Sequence, residues 1–147
     1  MSENKLDEVR LNRIREAFAS VPYARLIGLE LGAMKPGEAS LHLAIRDELK
    51  QNQGVVHGGA VASLIDTAAA FAVVTRLESG ERVTTTDLTI HYLRPITSGR
   101  LTATARIIRG GRRLFVLSVE VRNAQEVMIA TAVTGYLKLA QDGQNPQ

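Results

Sequence analysis

The chain of 147 residues has no cysteine and a formal net charge of +3, which bounds it to one domain with a real core and excludes disulfide scaffolds, thiol nucleophiles and cysteine metal sites. With 45% hydrophobic, 22% charged and 4% aromatic residues, it reads as a soluble globular protein, too apolar for disorder and too poor in stacking rings for single-strand nucleic-acid binding. The charge is uneven, with 11 basic and 12 acidic groups in residues 1–99 against 7 and 3 in residues 100–147, so a local anionic partner is expected and a nucleic-acid partner is not.

The N-terminus, MSENKLDEVR, lacks a hydrophobic signal core, and no apolar run is long enough to span a bilayer; the expected compartment is the cytoplasm, with no membrane partner. Leu11, Ile14, Phe18 and Val21 recur at three- and four-residue spacing and predict an amphipathic helix from about Leu6 to Ser20. Leu26–Met34 and Glu38–Ile45 read as strands of a hairpin turned by Lys35-Pro36-Gly37. Ala60–Val74, AVASLIDTAAAFAVV, is too rich in alanine for a strand and apolar nearly all round, as in a helix surrounded by protein. Val83–Leu93 alternates Leu88, Ile90 and Tyr92 against Asp87, Thr89 and His91, a half-buried strand stopped by Pro95. Arg100–Arg109 and Arg112–Arg122 alternate too, joined by a two-residue Gly110-Gly111 turn. Asn123–Glu126 turns into a last strand, Val127–Leu139, and the polar residues 141–147 are expected to be a loose tail. The order predicts a single α+β domain over residues 1–140, its antiparallel sheet wrapped around one central helix.

Within Ala60–Val74 only Ser63, Asp66 and Thr67 are polar, and an aspartate two turns inside an apolar helix calls for a partner or a task. Burial raises the pKa of such a carboxyl group, and hydrogen bonds to the carboxylate oppose the shift. Upstream, Gly54-Val55-Val56-His57-Gly58-Gly59 brings flexible backbone to the helix start, where free amides and the helix dipole favour developing negative charge. The eight residues from Gly58 to Asp66 rise about 12 Å along the axis, too far for both to touch one reacting carbon. Two antiparallel copies of the helix, packed side by side, would bring the glycine turn of one to the aspartate of the other, so an obligate homodimer with two equivalent sites is expected.

There is no G-x-S-x-G elbow, Walker loop or G-x-G-x-x-G run, and His42, His57 and His91 lack the spacing of a helical metal site. His42 and His91 read as strand-surface residues. Arg109, Arg112 and Arg113 flank an exposed turn and suit phosphate groups through their forked guanidinium donors.

Gln51-Asn52-Gln53-Gly54-Val55-Val56-His57-Gly58-Gly59, then Asp66 nine residues after the histidine, then Thr85-Thr86-Asp87-Leu88-Thr89-Ile90-His91-Tyr92-Leu93-Arg94-Pro95, resembles the hot-dog-fold thioesterases of the phenylacetate-degradation type over roughly Gly28 to Leu139. The resemblance implies hydrolysis of an acyl-coenzyme A substrate by a homodimer, often paired into a homotetramer. It implies no metal and no cofactor, coenzyme A being part of the substrate. In that pattern the Gly58 amide polarises the thioester carbonyl. His57 and Gln51 bind or orient the acyl group, with Asn52 and Gly59 beside them. Asp66 of the other chain is nucleophile or general base, and Thr85 matches the position that holds the attacking water. Many relatives carry asparagine six residues before the histidine, where this chain has Gln51. Two other readings share the pocket: a hot-dog hydratase or dehydratase, and a non-catalytic acyl-coenzyme A sensor.

Overall fold

In the computed structural model, which describes residues 4–140, Asp7 opens the first helix by accepting the Arg10 N–H at 2.7 Å, as a short carboxylate does at an N-cap. This helix, α1 (Glu8–Ala19), buries Ile14 completely and sets Phe18 edge-on to Phe71 with ring centroids 5.3 Å apart. The expected strand from Leu26 begins later, because Pro22 at the first helical position and Gly28, left-handed at φ 86, bracket a second helix, α2 (Pro22–Ile27). Proline inside the start and glycine past the end are the asymmetric marks of a helix. The expected tail, 141–147, lies outside the described residues.

The remaining elements are β1 (Leu29–Lys35), β2 (Glu38–Ala44), a short 3-10 turn (Asp47–Leu49), α3 (Gly58–Val74), β3 (Val83–Tyr92), β4 (Arg100–Gly110), β5 (Leu114–Arg122) and β6 (Met128–Lys138). The strands form one antiparallel sheet in the order β1-β2-β4-β5-β6-β3, which leaves β1 and β3 as edges. The β4–β5 turn differs from expectation. Gly110 pairs with Phe115 inside the ladder and the Gly111 N–H donates to the Leu114 carbonyl at 2.8 Å, so Arg112 and Arg113, not the glycines, occupy the tip.

Helix α3 lies on the inner face of the sheet, chiefly against β2 and β4. Its Ala60, Ala68, Ala69 and Ala72 and the sheet's Ala39, Ala103 and Ala105 are all buried, and these small side chains let the two layers approach closely. Val61, Leu64, Ile65 and Val73 are at most 2% exposed, each contributing about 1.5–3 kcal/mol by leaving water. The helix is not enclosed all round, however. Ala62, Ser63, Asp66, Thr67 and Ala70 form a half-buried stripe at three- and four-residue spacing, so one face of α3 is uncovered in the single chain. No helix among the described residues is long and apolar enough to cross a membrane.

The far end of α3 is tied down by other elements. Arg10 and Arg13 of α1 donate to the carbonyls of Thr75 and Leu77 at 3.1 and 3.2 Å, satisfying acceptors that a helix leaves open at its C-terminus. Thr75, 0% exposed, accepts the Gly37 N–H at 2.8 Å and donates to the Ala72 carbonyl at 2.6 Å, locking the β1–β2 turn to the helix. Thr75→Val keeps the shape but strands the buried Gly37 donor, and should cost about 1–3 kcal/mol. Urea unfolding measures this, and an unchanged midpoint would count against the hydroxyl as the link.

Candidate active site

Helix α3 begins two residues earlier than its apolar run. His57, extended at φ −66 and ψ 133, is the N-cap, and its Nδ1 accepts the Gly59 N–H at 2.8 Å. Gly58 and Gly59 therefore form the first turn of the helix. The loop before it is pinned at both ends, Val56 N–H to the Ile96 carbonyl and His57 N–H to the Leu49 carbonyl, both at 2.7 Å. The Gly58 amide finds no acceptor among the described residues, while its carbonyl accepts from the Tyr92 hydroxyl at 2.7 Å.

A pocket of about 370 Å³ opens beside this amide, lined by Gln51, Gly58 and Tyr92 among apolar residues that include Val61, Ile96 and Ile129. Gln51 thus shares a pocket lining with Gly58, and its Oε1 accepts the Gln53 N–H at 2.6 Å. Asn52 is exposed and does not line the pocket.

Asp66 sits two turns along, half-buried in the open stripe of α3. Thr85 donates to its Oδ1 at 2.9 Å. The Tyr136 hydroxyl also contacts Oδ1 and lies 2.6 Å from the Asp66 main-chain carbonyl. The other carboxylate oxygen, Oδ2, receives no donor among the described residues. Burial, and then the bond to Asp66, pushes the Tyr136 phenol well above its ordinary pKa, so the group stays protonated and able to donate.

Simple alternation would aim Thr85 outward with Asp87, Thr89 and His91. A β-bulge reverses that. Thr85 pairs with Tyr136 and Asp87 with Gly135, leaving Thr86 as the extra residue, which switches the parity of the strand so that Thr85 joins Leu88, Ile90 and Tyr92 on the helix side. Thr134 holds the bulge by donating to the Asp87 carbonyl at 2.7 Å. Gly135 leaves room for it, since a Cβ there would lie 2.7 Å from Thr86 Oγ1.

The arginines separate. Arg112 lines a cavity of about 730 Å³ with Arg76, Arg106 and Lys138, whereas Arg109 and Arg113 are exposed and lie outside its lining. Arg106 and Lys138 are paired with Glu38 and Glu81 at 2.9 and 3.0 Å. His42 bonds to Thr102 on the outer sheet face at 2.8 Å, where burial and then Arg100 hold its pKa below the usual histidine value. His91 is exposed on β3. Tyr92 and Tyr136 had no sequence signal beyond strand alternation. Their partners are Gly58 and Asp66, visible only once register is known.

Residues 53–130 match the family described as the thioesterase superfamily. The chain is similar to the medium/long-chain acyl-CoA thioesterase YigI of Salmonella typhimurium, 33% identical over 146 residues covering 88% of this chain and 94% of the relative. It is similar in fold to the Escherichia coli PaaI protein from the phenylacetic acid degradation operon, with a TM-score of 0.83 at 24% identity over 90% of this chain and 94% of that one. A conserved protein from Pseudomonas aeruginosa gives a TM-score of 0.77 at 28% identity, covering 81% and 94% of the two chains.

The cap at His57 generates a stability prediction. His57→Ala leaves the Gly59 amide without its acceptor and should cost about 1 kcal/mol, while His57→Asn, which can cap through its side-chain oxygen, should recover most of it. Thermal unfolding of the two variants side by side tests this, and equal losses would remove the capping role.

Proposed function

The chain belongs to the thioesterase superfamily and is a thioester hydrolase of the hot-dog fold, and from that premise we propose that it hydrolyses an acyl-coenzyme A to the free acid and coenzyme A. The observation that carries the assignment of roles is the pairing, on one helix, of an unengaged amide at Gly58 with a carboxylate at Asp66 held through only one oxygen. The amide, at the positive end of the α3 dipole, stabilises the oxyanion that forms as the thioester carbonyl is attacked. Asp66 either attacks that carbonyl or takes a proton from the attacking water, and the sulfur leaves as the thiol of coenzyme A.

The two groups stand about 12 Å apart on the helix axis, so in this reading each site takes its amide from one chain and its carboxylate from a second. The uncovered stripe of α3 around Asp66 is the surface that supports such a homodimer, with two dimers pairing into a homotetramer. The acyl group enters the pocket beside Gly58, whose lining of Val55, Val56, Val61, Leu93, Ile96 and Ile129 suits an aliphatic chain, in keeping with the medium- and long-chain substrates named for the Salmonella relative. Gln51 lines the same pocket, while His57 and Gly59, on either side of Gly58 in the chain, lie outside its lining. The phosphates of coenzyme A lie toward the β4–β5 hairpin, where Arg112 shares its cavity with Arg76, Arg106 and Lys138. Arg109 and Arg113 add charge from outside that cavity.

Thiol release from acyl-coenzyme A should fall by about 10²–10⁴-fold in Asp66→Asn, the usual worth of a positioned acid-base group; full activity in that variant would sink the assignment. Gly58→Pro removes one N–H at a position where proline suits a helix, and should cost about 10²–10³-fold. Co-expressing the two inactive chains tests the shared site. A heterodimer then has one intact pair, and about a quarter of wild-type activity should return in the statistical mixture. No recovery would show that each chain supplies both groups to its own site.

A further inference from the structure

Tyr136 is 2% exposed, on a sheet face otherwise filled by side chains such as Phe115, Leu117 and Val119. Phenylalanine would fill that space without carrying a hydroxyl into the core, and its neighbour across the β5–β6 ladder is Phe115. A buried hydroxyl needs a partner to offset its lost hydration. The partner here is Asp66, through both its carboxylate and its main-chain carbonyl. That carbonyl lies inside α3, where the helix ladder already supplies a donor, so the phenol is not needed to satisfy the helix.

We propose that Tyr136 is a positioning residue for the reaction, holding the Asp66 carboxylate by Oδ1 so that Oδ2 faces the substrate; this rests on the thioesterase role given to Asp66 above. Thr85 and Tyr136 are directly opposed across the β3–β6 ladder and converge on the same oxygen. Thr85 belongs to the sheet's edge strand, whereas Tyr136 comes from an interior strand paired on both sides, and is therefore the stiffer of the two supports. The phenol has one proton and two acceptors on Asp66. When the carboxylate is neutralised, by acylation or by taking a proton from water, that proton can turn toward the carbonyl without moving a heavy atom. The side chain thus stays in place through the change of charge. Positional error of about 1 Å in a reacting group is enough to cost about 100-fold in rate.

The test is steady-state kinetics on Tyr136→Phe with an acyl-coenzyme A substrate that the wild-type chain turns over, alongside Thr85→Val and the double variant. The expected result is a 10- to 100-fold fall in kcat with KM within twofold of wild type, because binding of the substrate is left alone. The double variant should lose less than the product of the two single losses, as befits two donors serving one oxygen. Wild-type kcat in Tyr136→Phe, a change confined to KM, or strictly multiplicative losses would each overturn the proposal. If Tyr136→Phe is unstable, Thr85→Val alone must still show the kcat-only loss, and its failure to do so would reject the grip on Oδ1. An inactive Asp66→Asn beside a fully active Tyr136→Phe rejects the positioning role alone; an active Asp66→Asn rejects the catalytic reading beneath it.

Discussion

Eight residues of α-helix rise about 12 Å, and no choice of side chain shortens that distance. The open amide at Gly58 and the half-held carboxylate at Asp66 are both carried by α3, which packs chiefly against β2 and β4. Each feature consequently has its own surroundings. The amide is set by the pinned loop from Leu49 to His57 and by Tyr92. The carboxylate is set by Thr85 and Tyr136. The single chain therefore holds two separate environments, about 12 Å apart along the helix axis.

The edge strand β3 serves both. Its even-numbered residues from Leu88 to Tyr92 follow plain alternation and deliver Tyr92 to the helix start. Beyond the bulge at Thr86 the parity inverts and delivers Thr85 to Asp66. A regular strand of the same sequence would put Thr85 on the outer face, and the carboxylate would keep only its contact with Tyr136. The single glycine that admits the bulge, Gly135, lies next to Tyr136 on β6, so the two donors depend on adjacent positions of one strand.

Much of this was legible in the residues. The apolar run around Asp66 and the alternation of the later strands led to the α+β architecture, and the glycines ahead of that run singled out Gln51–Asp66 as the candidate site. Local signals that were present but outweighed explain two errors. Pro22 and Gly28 bracket α2, yet the apolar Leu26 and Ile27 suggested a strand. The Gly110-Gly111 pair suggested a turn, yet the ladder runs through Gly110 and turns on two arginines. Tyr136 was not legible, because its meaning depends on being opposite Thr85, and that register is fixed by a bulge that no alternation pattern announces. The four-cation cavity at Arg112 was hidden for a similar reason. Its lining comes from segments as far apart in sequence as Gly37, Arg76 and Lys138.

The cap at His57 also decides a tautomer. With Nδ1 accepting the Gly59 amide, the uncharged imidazole must carry its one proton on Nε2. The contact that begins the helix thereby turns the free side of the ring into a hydrogen-bond donor.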